Sequence, residues 1–267
     1  MAEPVQKIRM STIIPSGIKR KIRNSLERRL SVRTLDFFDN FFIQTRLIFS
    51  KSLLLMLLGL FAFFTWATIE EETFRHEQAF YFLLLQTIGI SILLHIGLWE
   101  TERDQETMEI LLMRIPGVHK LIWSKMHVSL IWCVMLSLPF FGGYWWFLTL
   151  PFSRILVFFL FCVFVMLWTS FFTCIVSSFV RRPLPTGIIS AIVIFVVFAF
   201  CENMRLPWNF HYYLNFMIFP YEDNLMMLSG WRYIFVLIVN RIIILTASAA
   251  FYAWLYHRLK RTEKWIA

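Results

Sequence analysis

The sequence predicts an all-α integral membrane protein with six transmembrane helices. Its 267 residues are 58% hydrophobic and only 16% charged, whereas soluble domains are about 45–50% apolar and about 25% charged. The apolar residues concentrate in six runs, each near the roughly 20 residues that a helix needs to cross a bilayer. The predicted spans are 52–69, 79–99, 127–149, 155–179, 186–201 and 233–256.

Positive charge orients these spans. Six spans place four segments on one side of the membrane, and these segments hold twenty-one Lys and Arg, whereas the opposite side holds four. Because positive residues are retained on the cytoplasmic side, both termini are predicted to be cytoplasmic. The predicted outer boundary carries aromatic residues of the kind that anchor helices at a membrane interface. These are Trp145, Trp146, Trp208 and Trp231.

The amino-terminal part of the chain is basic and amphipathic. From Ile18 to Leu30, apolar residues recur every fourth position among Lys and Arg, which indicates a helix on the inner leaflet. Leu35 to Phe49 is predicted to form an interfacial elbow before the first span, and residues 1–16 a disordered tail. The predicted parts are a cytoplasmic basic tail and interfacial amphipathic helix (1–51), a six-span domain (52–257) and a cytoplasmic tail (258–267).

Familiar catalytic motifs do not occur in the sequence. It has no phosphate-binding loop, no paired-histidine metal motif, no Cys-x-x-Cys and no Gly-x-Ser-x-Gly elbow. We therefore predict no catalytic residue, no metal ligand and no ATPase activity of this chain alone. The cysteines lie in or beside apolar runs, where we expect small hydrophobic side chains without disulfides. They are Cys133, Cys162, Cys174 and Cys201.

The cytoplasmic segment between the second and third spans has the pattern of a short amphipathic helix over 101–115. It begins near Thr101, ends at Pro116-Gly117, and carries one apolar stripe and one acidic face. An anionic inner leaflet repels an acidic face, which favours a cytoplasmic protein partner over lipid headgroups. The acidic face consists of Glu102, Glu106 and Glu109.

The external segment from Glu202 to Arg232 is too apolar for a solvated loop. It is rich in aromatic residues, is interrupted at Pro220 and is too short to cross the membrane twice. We predict an outer-leaflet helical segment, with one or two helices that dip into the membrane against protein. The alternative is a segment that lies flat on the interface.

Polar residues within the spans are few, and each is costly in lipid. One stripe of residues spaced by four lies in the second span, and another, which includes Ser177, lies in the fourth. They either line a translocation path or pack helices together, and packing is favoured for the Thr and Ser residues. The candidate path residues are Thr87, Ser91, His95, Thr169, Thr173, Asn240 and Arg241.

Arg241 lies deep in the last predicted span and needs a partner there. Glu202, at the outer end of the fifth span, is the closest carboxylate by depth. A structural ion pair between Glu202 and Arg241 is the favoured interpretation, and contact with an anionic substrate is the alternative.

Residues 102–125 resemble the cytoplasmic signature of type-2 ABC exporter permeases. That family commonly shows an acidic–basic pair, Gly-Thr-x-Glu-x-Leu-Leu, a Pro, and a downstream Lys at the third span. Glu106 of this chain stands where the family has Gly. With the elbow, the spans and the external segment, the likeness covers residues 35–257. Six positions match the signature: Thr107, Glu109, Leu111, Leu112, Pro116 and Lys125.

The resemblance implies the permease subunit of an ATP-driven exporter in a bacterial inner (cytoplasmic) membrane, although composition does not separate bacterial from organellar membranes. It implies a homodimer, or a heterodimer with a similar permease. Two copies of an ATP-binding subunit would hold ATP and Mg and dock on the 101–115 coupling helix. This chain itself would bind membrane lipid but no cofactor or nucleic acid. The implied docking residues are Glu102, Arg103, Glu106, Thr107, Glu109, Leu111, Leu112 and Arg114.

The sequence leaves the substrate and two other functions open. A path between spans this rich in aromatic residues is compatible with an unidentified amphipathic or lipid-linked substrate that is moved outward. The alternative function is a membrane scaffold or assembly factor without transport activity. An intramembrane enzyme that uses His95 or Glu202 is disfavoured, because no second catalytic group falls at a matching depth.

Overall fold

Six helices make up most of the chain that a computed structural model of the protein describes. We number them α1 (His76–His95), α2 (Val118–Leu148), α3 (Phe152–Phe179), α4 (Pro183–Asn203), α5 (Phe210–Leu214) and α6 (Trp231–Lys260). No strand occurs among the described residues, all of which belong to the unit Thr45–Ala267. The structure describes residues 45, 59, 76–96, 98–99, 118–148, 151–180, 182–203, 210–215, 218, 220 and 230–260.

Four of these helices are long and apolar enough to cross a membrane. They are α2, α3, α4 and α6, and α1 contributes a shorter apolar stretch, Phe80–His95. The described part of the chain is therefore helical, and its four long apolar helices agree with the prediction of a membrane-embedded protein. The count of six spans stays a prediction, since the first predicted span at 52–69 lies outside the described residues. So do the coupling helix at 101–115 and, apart from Thr45, the elbow at 35–49.

The helix that contains the third predicted span begins before that span. Residues 118–126 were expected to precede a span starting at 127, yet they form the first turns of α2. The sequence pattern failed here because it treated Lys125 as a loop cation. In the structure Lys125 is 2% exposed and lies inside the helix.

The contacts between helices fix their directions. Near the starts of α1 and α3, the ring centroids of Phe80 and Phe158 lie 4.6 Å apart, and beyond the end of α1, Trp99 shares an apolar cluster with Cys174 of α3. These two helices therefore run the same way. The start of α2 meets the end of α1, so α2 runs the opposite way. Helix α6 runs with α3, because Arg258 near its end reaches the carbonyl of Ser178.

The two ends of this bundle differ in composition. Helices α1, α3 and α6 finish, and α2 and α4 start, at the end that we call the cationic end. The opposite end carries the exposed residues Trp145, Trp146 and Trp231, and we call it the aromatic end. Of the described Lys and Arg residues, the aromatic end has Arg154 and Arg232. The cationic end has Lys120, Lys125, Arg182, Arg258 and Lys260.

Candidate functional site

A buried lysine joins the end of α1 to the start of α2. The Nζ atom of Lys125 donates a 2.7 Å hydrogen bond to the carbonyl of Leu98 and lies 5.2 Å from the ring centroid of Trp99. Leu98 lies three residues beyond the end of α1, and a charged donor makes a stronger hydrogen bond than a neutral one. Lys125 therefore ties the chain just after α1 to the start of α2.

A histidine and a serine reinforce the same junction. His95 Nδ1 lies 2.7 Å from the carbonyl of Ser91, and His95 Nε2 lies 2.7 Å from Ser129 Oγ. A carbonyl only accepts, so the ring donates from Nδ1 to Ser91, while Nε2 is hydrogen-bonded to the Ser129 hydroxyl. We call these contacts, together with Lys125–Leu98, the α1–α2 clasp.

Further contacts attach α6 to the cationic end. Arg258 Nη2 donates to the carbonyl of Ser178 at 3.2 Å, and its guanidinium carbon lies 3.8 Å from the ring centroid of Phe179. His119 near the start of α2 is hydrogen-bonded to the hydroxyl of Tyr252. No carboxylate occurs among the residues whose side chains the structure describes. The described partners of the Arg258 guanidinium are a carbonyl group and aromatic rings.

A second polar contact point lies deeper, where α6 meets the external segment. Asn240 Nδ2 lies 3.0 Å from the carbonyls of Tyr212 and Tyr213 and 2.8 Å from that of Asn215. These carbonyls lie at the end of α5 and just after it, and that of Asn215 also accepts from the backbone N–H of Ile218. The adjacent residue, Arg241, donates to the carbonyl of Ile218.

Arg241 also binds α3. Its Nη1 atom lies 3.4 Å from the carbonyl of Phe161, and its guanidinium carbon lies 4.5 Å from the ring centroid of that residue. Arg241 is ten residues into α6 and Phe161 nine residues into α3, which is about 14 Å along each axis at 1.5 Å per residue. The carbonyl of Ile218 is thus held beside α3 and α6, and the position of the external segment relative to the membrane stays a prediction.

The described partners of Arg241 are backbone carbonyls and an aromatic ring. The side chain of Glu202 lies outside the described residues, so the Glu202–Arg241 ion pair stays a prediction. The sequence contains a signal for these contacts. Asn240 and Arg241 are adjacent polar residues within the last span, and the apolar external segment comes before that span.

The two polar stripes predicted in the spans lie on α1 and α3, which pack against each other. Thr87 donates to the carbonyl of Leu83 at 2.7 Å within α1, and the thiol of Cys162 on α3 lies beside it. Each stripe is buried within the single chain. A path lined by these residues therefore requires α1 and α3 to move apart. The buried stripe residues are Thr87, Ser91, His95, Thr169, Thr173 and Ser177.

The predicted docking residues, from Glu102 to Arg114, lie outside the described residues. Of the positions that carry the family resemblance, Lys125 is described, and it forms the α1–α2 clasp. No protein-family model matches this chain, and neither a curated protein nor a solved structure matches it.

Proposed function

We propose that this chain is the membrane permease subunit of an ATP-driven exporter. It moves an amphipathic or lipid-linked substrate outward, while a separate ATP-binding subunit hydrolyses ATP. The observation that carries this proposal is the α1–α2 clasp, because it joins the two helices that flank the acidic 101–115 segment.

The clasp gives that segment a mechanical connection to the bundle. In the chain the segment lies between Trp99 and Val118, and Lys125 bonds to Leu98 across this interval. A partner that pulls on the segment therefore acts on α1 and α2 together. The His95–Ser129 contact lies one turn further along α2 and carries the displacement into the buried part of the interface.

The charge pattern supports a cytoplasmic partner on this side. The cationic end is where the positive-inside rule places the cytoplasm, and the segment presents Glu102, Glu106 and Glu109 there. In an exporter of this kind, two permease chains form the membrane dimer and each docks one ATP-binding subunit. The substrate path then opens when movement of the segment separates α1 from α3, as in alternating access.

The test is an affinity pull-down of this chain from its native membrane in mild detergent. We expect mass spectrometry of the eluate to show a stoichiometric nucleotide-binding subunit and the eluate to have vanadate-sensitive ATPase activity. Capture of membrane assembly components without a nucleotide-binding chain would overturn the proposal and favour the scaffold function.

A charge-reversal pair tests the docking segment itself. We expect Glu106→Lys combined with Glu109→Lys to insert into the membrane normally and to lose the ATP-binding subunit, because two attractive charges become repulsive. Glu263→Lys, on the same predicted side and with half the change of charge, is the control and retains the subunit. Normal copurification with the double variant would overturn the docking assignment.

A further inference from the structure

We propose that the exposed face of α2 at the cationic end binds the headgroup of an anionic phospholipid. We call this face the headgroup site. It consists of His119, Lys120, Trp123 and His127 of α2, with Tyr252 of α6 beside them. The lipid belongs to the leaflet next to the cationic end, which the positive-inside rule makes the cytoplasmic leaflet. The inference does not depend on the transport function.

Exposed tryptophans on α2 mark the two boundaries of the membrane. Trp123 near the start of the helix and Trp145 near its end are both 43% exposed. They lie 22 positions apart, which is about 33 Å along the helix axis at 1.5 Å per residue. The hydrocarbon core of a bilayer is about 30 Å thick, and tryptophan concentrates at both of its interfaces. Trp123 therefore lies at the level of the lipid headgroups.

Helix α6 has nearly the same spacing of exposed tryptophans. Trp231 is exposed at the aromatic end and Trp254 at the cationic end, and they lie 23 positions apart, which is about 35 Å along the axis. The two helices also agree in level, because the ring centroid of Tyr252, two residues before Trp254, lies 6.1 Å from that of Trp123. Two helices that run in opposite directions thus place the cytoplasmic boundary at one level.

The side chains of the headgroup site share one face of α2. Positions 119, 123 and 127 are spaced by four, and Lys120 precedes His127 by seven, so all four project from the same side of the helix. All four residues are exposed. The ring centroid of Trp123 lies 6.3 Å from that of His119 and 6.4 Å from that of His127. His119 is also hydrogen-bonded to the hydroxyl of Tyr252, which fixes the row against α6.

His127 lies deeper than the tryptophan that marks the boundary. It is four residues further along α2 than Trp123, about 6 Å into the membrane, and it is exposed there. A polar side chain that faces hydrocarbon is costly. Because side chains lean toward the start of their helix, His127 leans back toward the level of Trp123. A lipid phosphate at that level accepts a hydrogen bond from the imidazole and is attracted by Lys120 on the water side.

The level of the headgroup site selects a lipid as its occupant. The polar groups lie on both sides of Trp123, with Lys120 toward the water and His127 toward the hydrocarbon. A soluble anion or a cytoplasmic protein reaches the first of these groups but not the second. A phospholipid carries its phosphate at this level and extends its acyl chains along the helix. Its charge is negative because basic residues at the cytoplasmic surface attract anionic lipids.

Native mass spectrometry of the full chain in mild detergent tests the proposal. The two probes have the same acyl chains and are phosphatidylglycerol, which is anionic, and phosphatidylcholine, which is zwitterionic. We expect phosphatidylglycerol to bind at least about fivefold more tightly, the gain expected from one basic residue near a membrane surface. Equal binding of the two lipids overturns the proposal. So does displacement of phosphatidylglycerol by an equal concentration of glycerol phosphate, which would mark a site for a soluble anion.

A pair of variants locates this preference on α2. Lys120→Gln combined with His127→Leu removes the ammonium group and the imidazole, and we expect it to abolish the preference for phosphatidylglycerol. Arg232→Gln, which removes one formal positive charge at an exposed position of the aromatic end, is the matched control and keeps the preference. A preference retained by the double variant overturns the proposal. Equal loss in both variants also overturns it, since that result marks a response to overall charge.

A third variant keeps the test valid if the double variant folds poorly. Lys120→Arg combined with His127→Arg retains a donor at both exposed positions, and thermal unfolding without added lipid shows whether each chain is folded. We expect this variant to keep at least the fivefold preference for phosphatidylglycerol. Loss of the preference in the folded arginine variant overturns the assignment of the headgroup to these two positions.

Discussion

His95 and Ser129, 34 positions apart in the chain, meet at 2.7 Å between Nε2 and Oγ in the buried interface of α1 and α2. The other ring nitrogen of His95 is occupied by the carbonyl of Ser91 in its own helix. His95 therefore uses both nitrogens for structure in this conformation, and its position near the end of α1 ties that end to α2 about one turn beyond Lys125.

A double-mutant cycle measures this bond. We expect His95→Phe and Ser129→Ala each to lower stability, and their combination to be less damaging than the sum by about 0.5–1.5 kcal/mol, the net value of a hydrogen bond. Thermal unfolding in detergent, followed by tryptophan fluorescence, gives the three differences. Strict additivity would show that the two side chains do not interact.

The sequence revealed the helices better than their contacts. Long apolar runs have no other solution in lipid than helices that satisfy their own backbone, so α3, α4 and α6 lie close to the predicted spans. Hydropathy did not reveal that α2 begins before its predicted span, because hydropathy treats every lysine as solvated. Lys125 is satisfied instead by a carbonyl just beyond the end of a different helix, and a single sequence carries no record of that pairing.

For the polar residues within the spans, too, the sequence predicted the helix face but not the contacts. Their spacing by four correctly predicted that the stripe with Thr87 lies on one face of α1 and the stripe with Thr169 on one face of α3. Helices α1 and α3 pack against each other. The sequence did not reveal that Asn240 and Arg241 satisfy the carbonyls after α5, because backbone acceptors exist at every residue. Which of them are left unsatisfied depends on where a short helix ends.

Replacement of the clasp lysine tests its structural value. We expect Lys125→Met to lower the stability of the chain by about 1–3 kcal/mol, because the carbonyl of Leu98 loses a charged donor in a buried position. Lys120→Met is the matched control, since Lys120 is exposed on the same turns of α2, and it should leave the melting temperature unchanged. Equal melting of the two variants would contradict the role of Lys125.

Substitution of Asn240 tests how the external segment is held. Asn240→Leu keeps the approximate size but removes the donor to the carbonyls of Tyr212, Tyr213 and Asn215. We expect local opening to become easier by about 2 kcal/mol, or about thirtyfold in equilibrium constant, and amide hydrogen exchange over 212–215 to accelerate accordingly. Thr246→Val, which loses a bond to its own helix on an exposed face, is the control and leaves this exchange unchanged. Unaltered exchange in Asn240→Leu would show that the segment is held by other contacts.

Substitution of Arg258 separates the contribution of charge to stability from that of side-chain shape at the cationic end. The planar guanidinium lies over Phe179 at 3.8 Å and also donates to the carbonyl of Ser178. Lysine keeps the charge but loses the flat stacking surface and the forked donor. We therefore expect Arg258→Lys to lower stability by about 0.5–1 kcal/mol, as for a partly exposed cation–π contact, whereas Arg182→Lys at an exposed site has no effect. If Arg258→Lys melts at the same temperature as the unmodified chain, charge alone holds α6 to the end of α3. The stacking of Arg258 on Phe179 would then contribute nothing to stability.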